Sequence, residues 1–70
     1  MPLIAAAEDM EVRIAKIAAD GELKKHLSDL GIIPGEKITV ISSRSGSVII
    51  RLKEGRVALD RNLATKIFVA

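Results

Sequence analysis

One group of side chains in this sequence has the composition of a metal site. Glu22, His26 and Asp29 are spaced so that a helix would place all three on one face. One imidazole and two carboxylates could bind a ferrous or another divalent ion weakly, with positions left open for water. A solvated helix stripe explains the same spacing, and we favour that interpretation because a lone histidine rarely forms a metal centre. We therefore expect no resident cofactor.

The sequence lacks the motifs of covalent catalysis and of nucleotide hydrolysis. The chain has no cysteine, and the serines of Ser45-Gly46-Ser47 lie in a predicted tight hairpin without a histidine nearby in the sequence. A phosphate-binding loop would need Gly-x-x-x-x-Gly-Lys-Ser/Thr, which does not occur. The sequence therefore predicts a protein that is not an enzyme and does not itself bind GTP.

Phe68 is the only aromatic residue, so the usual aromatic recognition surfaces are missing. Grooves for proline-rich peptides and platforms for single-stranded nucleic acid are both built from aromatic side chains. Basic residues at Arg51, Lys53, Arg56 and Arg61 leave an electrostatic patch as an alternative to a solvated strand face. We expect no nucleic-acid partner.

A helix at about residues 21–30 must position the candidate metal ligands. Asp20 is the predicted N-cap, accepting a bond from a free N–H near Leu23. The predicted core-facing residues are Leu23, Leu27 and Leu30, at i, i+4 and i+7. Gly31 is expected to end the helix in a left-handed conformation, with Ile32 folding back onto the last turn and Pro34-Gly35 forming a type II turn.

Alternating apolar residues predict strands before and after this helix. The first is expected at 11–18, and two hairpins follow the proline turn. A three-residue loop at Arg44-Ser45-Gly46 with left-handed Gly46 would pair Val40 with Ile50 and Ile38 with Leu52. A two-residue loop at Glu54-Gly55 would pair Leu52 with Val57 and Ile50 with Leu59. The predicted apolar sheet face comprises Ile38, Val40, Val48, Ile50, Leu52, Val57 and Leu59.

The last segment completes a mainly β prediction. Asp60 is expected to cap a short helical turn at about 61–65, and a closing strand follows at 66–69. Five short strands around one core, with one inserted helix, favour a small five-stranded barrel over an open sheet with exposed edges. Residues 1–70 are predicted to form a single domain. The uncharged stretch Met1–Ala7 is too short to cross a membrane, and it lacks the basic start of a secretory signal and leads into acidic Glu8 and Asp9. We therefore expect a mature, soluble, cytoplasmic protein.

Three isoleucines are candidates for contacting a partner. The hairpin register that buries Val40 and Ile50 places Ile41 and Ile49 together on the opposite face, where another element or a partner must cover them. Ile33, beside the Pro34-Gly35 turn, has the same ambiguity.

The helix end and turn, Leu27-x-x-Leu30-Gly31-Ile32-x-Pro34-Gly35, followed by a Val-Ile strand, resemble the signature of the FeoA family. The beginning, Met1-Pro2-Leu3, and the segment from Val57 to Val69 resemble the two ends of that family. The resemblance covers essentially the whole chain. It departs at Asp9 and Met10, where many relatives carry glycine, and at residues 24–26, where relatives carry arginine.

The resemblance implies an SH3-like barrel that works with FeoB, a membrane transporter of ferrous iron with a cytosolic GTP-binding domain. The expected function is that of a cytosolic accessory protein, which reaches the membrane only through this transporter. Similar domains lie at the carboxyl end of the diphtheria-toxin-type metal-dependent repressors, so a metal-responsive regulatory domain is one alternative. A small RNA-binding barrel is another. The family implies no catalytic residue.

Overall fold

The computed structural model describes residues 1–53 and 55–70 of the 70-residue chain. The strands form one antiparallel five-stranded sheet in the order β4-β3-β2-β1-β5. A short 3₁₀ helix precedes them. In chain order the elements are the 3₁₀ helix Leu3–Ala5, β1 Glu11–Ile17, α1 Gly21–Asp29, β2 Lys37–Arg44, β3 Ser47–Leu52, β4 Gly55–Asp60, α2 Arg61–Ala64 and β5 Ile67–Val69.

The sheet confirms the mainly β prediction but does not close into a continuous ladder. Strand β1 pairs through Glu11–Arg13 with β2 and through its second half with β5. The register of β1 shifts between Ile14 and Lys16, and such bulges bend a strand around a core. Within residues 1–53 and 55–70, no backbone pairing joins β4 to β5. The sheet therefore keeps two edges.

The core is a single cluster of buried aliphatic side chains from all five strands and all three helices. Every residue of the predicted sheet face belongs to this cluster or packs against it, whereas Arg51 is exposed. No helix in the described part of the chain has the length and apolar character needed to span a membrane.

The hairpin between β2 and β3 has the predicted pair but not the predicted loop. Val40 lies opposite Ile50, which confirms the pairing. The loop contains two residues rather than three, because Arg44 pairs with Ser47 while Ser45 and Gly46 take positive φ values of 47° and 81°. A bulge at Ile41 places one extra residue on β2, and this residue compensates for the shorter loop, so that Val40 still lies opposite Ile50.

The predicted register between β3 and β4 is wrong by two residues. Leu52 lies opposite Gly55, and Ile50 lies opposite Val57 rather than Leu59. Glu54, one of the two predicted loop residues, lies outside the described residues. The other, Gly55, has a positive φ of 146° and belongs to β4 rather than to the loop. A slip of two residues keeps the same side chains on the same face, so the burial prediction holds.

Helix α1 begins and ends as predicted, with two corrections. Asp20 is the N-cap residue, but its side chain accepts no capping hydrogen bond. Leu27 is fully buried and Leu23 packs against the core, as predicted. The prediction that Leu30 also faces the core is wrong, because Leu30 is 37% exposed. The C-terminal half of the prediction is confirmed, because Gly31 has φ 92° and Ile32 is buried.

Two carboxylates fix the chain around the sheet. The predicted cap at Asp60 is confirmed, since its Oδ1 accepts a hydrogen bond of 2.8 Å from the Leu63 N–H at the start of α2. Glu8 Oε2 accepts a 2.9 Å bond from the Ser43 N–H and lies 3.5 Å from Arg44 Nε. The Ser43 bond, with a smaller contribution from Arg44, lowers the pKa of Glu8 below its ordinary value of 4.5.

Candidate interaction surface

An apolar groove runs from the end of α1 to the β3–β4 hairpin. We define this apolar groove by the side chains of Leu30, Ile33, Leu52 and Val57. It consists of two adjoining hollows of about 230 Å³ each, which share Leu30 and Leu52. Charged and glycine residues complete the two linings: Asp29, Gly31, Glu36, Lys53, Gly55 and Arg56.

The way α1 ends explains why Leu30 faces this groove. The Ile32 N–H donates to the Leu27 carbonyl at 2.9 Å, and the Gly31 N–H donates to the Ser28 carbonyl at 2.9 Å. These two bonds define a Schellman motif, in which the residue after the left-handed glycine turns back toward the last helical turn. Ile32 therefore enters the core with Leu27. Leu30, the C-cap residue, remains at the surface.

A rigid turn holds Ile33 at the other side of the groove. The predicted type II turn is present, with Gly35 at φ 95° and a 3.2 Å bond from the Glu36 N–H to the Ile33 carbonyl. Arg13 Nη1 donates to the Gly35 carbonyl at 2.6 Å, and the Gly35 N–H donates to the Ile14 carbonyl at 2.7 Å. Ile33 is 38% exposed on this clamped turn.

The groove has the chemistry of a binding surface. Aliphatic and charged side chains line it together, so it can bury an apolar side chain of a partner and pair with charges beside it. Among the residues that the structure describes, no polar or charged side chain is buried.

The structure does not bring the predicted metal ligands together as a metal centre. Glu22, His26 and Asp29 are all exposed on α1. Across residues 1–53 and 55–70, no three His, Cys, Asp or Glu side chains form a group that could hold a metal ion. Asp29 instead lines the hollow next to Leu30.

The predicted partner-binding isoleucines separate into two places. Ile33 lies in the apolar groove, whereas Ile41 and Ile49 are half-buried in the β2–β3 hairpin. They are not directly paired as predicted, because the bulge falls at Ile41 and Ile49 lies opposite Ser42. Their role in binding stays a prediction. Leu30 was missed because its heptad-like spacing indicated the core. The Gly31-Ile32 pair was the available signal, since a Schellman motif gives the buried position to Ile32.

The fold and the groove together define a small β domain of the SH3-like type with an apolar surface at the end of its one long helix. The family model of the FeoA domain matches residues 1–70. The chain belongs to the FeoA family.

Relatives of known name or structure agree with this assignment. A protein of Methanocaldococcus jannaschii named Fe(2+) transport protein A is 41% identical over 68 residues, covering 97% of this chain and 83% of the relative. The crystal structure of an iron uptake regulatory protein (FeoA) superposes with a TM-score of 0.89 at 26% identity, covering 99% of this chain and 93% of that one.

A manganese-dependent transcriptional repressor also has this fold. It superposes with a TM-score of 0.90 at 22% identity, and the match covers all of this chain but 40% of the repressor. At this identity the likeness concerns the fold alone.

Proposed function

We propose that this chain is a non-enzymatic, cytoplasmic accessory protein of ferrous iron uptake, acting as one domain over residues 1–70. Membership of the FeoA family and the 41% identical relative named for Fe(2+) transport support the uptake role. The proposed partner is the cytosolic, GTP-binding part of a FeoB-type transporter. Contact with the membrane is indirect, through this transporter.

The observation that carries the proposal is the apolar groove. Leu30 and Ile33 are among the most exposed large hydrophobic residues of the described chain, at 37% and 38%, and they line the same hollow. Burying apolar surface contributes about 25 cal/mol per Å². A partner that inserts one aliphatic side chain between them gains that energy without rearranging the scaffold, because both residues lie on hydrogen-bonded turns.

The groove also suits a transient complex. It is small, it lacks the Trp and Tyr residues that anchor tight interfaces, and its lining carries both signs of charge. A weak, reversible contact fits a protein that influences a transporter's assembly or nucleotide cycle. The repressor-like alternative is supported by the fold alone.

Binding of the purified chain to the purified cytosolic domain of a FeoB-type transporter tests this proposal. We expect saturable binding by wild type and binding about tenfold weaker for Leu30→Gln, because one desolvated apolar contact is replaced by an amide. Met10→Gln is the matched control, since Met10 is 40% exposed and lies outside the groove.

Two results would contradict the proposal. One is no association of wild-type chain with the transporter domain in either nucleotide state. The other is equal loss of binding in Leu30→Gln and Met10→Gln, which would show that exposed apolar surface in general, rather than the groove, causes the association.

A further inference from the structure

A second groove, on the outward face of the sheet, is lined by basic side chains. It has a volume of about 340 Å³ and is formed by β1, β2, the end of β3 and the turn before β2. Arg13, Lys37, Arg51 and Lys53 line it, and Arg56 lies directly opposite Arg51 on β4. We call the groove lined by Arg13, Lys37, Arg51 and Lys53 the basic groove.

Two pairs of like charges face each other across neighbouring strands at the basic groove. Arg13 lies opposite Lys37 on β1 and β2, and Arg51 lies opposite Arg56 on β3 and β4. Directly opposed like charges destabilise an antiparallel sheet. A bound anion would offset this repulsion.

The chain supplies few counter-charges of its own here. Glu11 and Glu36 also line the groove, so its four lining cations and two lining carboxylates leave a net charge of +2. The whole sequence has a net charge of +2, so the charges of the remaining residues balance. In the described residues the ion pair that forms is Arg44 with Glu8, which does not involve the basic groove.

We propose that the basic groove binds an extended, acidic peptide segment of a partner protein. The lining cations lie on three neighbouring strands and just beyond the end of one of them: Arg13 on β1, Lys37 on β2, Arg51 on β3 and Lys53 after β3. Neighbouring strands are about 4.8 Å apart, and an extended peptide presents every second side chain on one face at a spacing of about 6.8 Å. Asp or Glu side chains on one face of such a peptide are therefore close enough together to reach more than one of these cations.

The shape and composition of the groove favour this occupant over other anions. Its concave form suits one narrow chain rather than a flat lipid surface. Single-stranded nucleic acid needs aromatic stacking platforms, and the one aromatic residue, Phe68, is half-buried on β5 and does not line the groove.

This proposal does not depend on the identity of the transporter, because it names only the chemistry of the bound segment. The basic groove nevertheless adjoins the apolar groove, with which it shares Glu36, Leu52 and Lys53. A partner side chain in one groove could thus be followed by an acidic stretch in the other.

The test uses a fluorescent synthetic decapeptide of alternating Glu and Ser, with a Gln-Ser peptide of the same length as its neutral counterpart. Fluorescence anisotropy with the full chain should show binding of the acidic peptide that weakens as salt is added. The variant Lys37→Gln/Arg51→Gln removes one cation from each like-charge pair. We expect it to bind roughly threefold to tenfold more weakly, at the worth of two exposed charge contacts.

Lys24→Gln/Lys25→Gln is the matched control, because it removes the same charge from exposed positions on α1. It should retain binding, and Lys37→Gln/Arg51→Gln should melt no lower than wild type, since it relieves repulsion. Equal weakening by both double variants would overturn the proposal, as would equal binding of the neutral peptide. Tighter binding of oligo-uridine, or of phosphatidylglycerol vesicles, than of the acidic peptide would overturn it in favour of those anions.

Discussion

Replacing Ile33 by glutamate should weaken partner binding strongly while leaving the fold intact. Ile33 is 38% exposed in the free chain, so the new carboxylate keeps access to water. Full burial of an isoleucine is worth about 1.5–3 kcal/mol, and losing the buried part should cost folding about 1 kcal/mol. For a domain of this size that lowers Tm by about 4–8 °C.

The cost in a complex is larger than the cost in folding. A partner that covers residue 33 must desolvate the carboxylate, at about 1–3 kcal/mol, and it loses the apolar contact as well. Half-buried Glu36 lines the same hollow and adds repulsion. The sum weakens binding by roughly tenfold to a hundredfold, since about 1.4 kcal/mol corresponds to a factor of ten.

The assay pairs a thermal melt with ferrous uptake in cells that lack the native protein and express each variant at equal level. Met10→Glu, at a residue 40% exposed outside the groove, is the control for added charge, and Ile33→Val is the control for volume. We expect strongly reduced uptake with Ile33→Glu alone. Wild-type uptake by folded Ile33→Glu would refute the role of the groove, and loss of folding would show that Ile33 belongs to the core.

Three further predictions concern other parts of the molecule. Leu27→Ala, at a fully buried residue, should cost about 2–5 kcal/mol in urea unfolding, whereas Leu30→Ala should stay within about 0.5 kcal/mol of wild type. Because the folded-state pKa of Glu8 is lowered, its stabilising bond should be complete above pH 4.5 and be lost as pH falls through the folded value. Denaturation curves at several pH values should show this dependence reduced in Glu8→Gln, and a chemical-shift titration giving an ordinary pKa would contradict it. Ferrous ion should bind no tighter than the millimolar range, and His26→Ala should leave stability and uptake nearly unchanged. Calorimetry that shows stoichiometric micromolar binding by wild type, and none by His26→Ala, would contradict this prediction.

The sequence predicted faces of strands better than it predicted their registers. Burial alternates with a period of two, so it identifies which side of a strand is apolar but does not detect a slip of two residues, as between Leu52 and Val57. In the β2–β3 hairpin, two arrangements pair Val40 with Ile50. One has a three-residue loop and no bulge, and the other, which the structure has, combines a two-residue loop with a bulge at Ile41. Pattern alone does not separate these alternatives.

Only part of the apolar groove is predictable from the sequence, because some of its residues meet through long-range packing. Ile33 was identified from its position beside a proline turn, which is a local signal. Leu52 and Val57 reach the groove because the β3–β4 hairpin packs near the end of α1, a long-range arrangement that local pattern does not encode. Leu30 was assigned to the core because helical periodicity carries no information about where the C-terminal cap turns the chain.

The two edges of the sheet differ in whether a further strand could pair with them. On the β5 side, Pro2 forms a bridge with Phe68 and the Val69 N–H donates to the Met1 carbonyl at 2.7 Å, so this edge is already occupied. In the described part of the chain, β4 has a strand neighbour on one side only. Exposed Arg56 and Asp60 lie on this strand, and charges on an edge discourage edge-to-edge aggregation. Of the two edges, β4 is therefore the one open to pairing with another copy of the chain, and these two charged residues oppose such pairing.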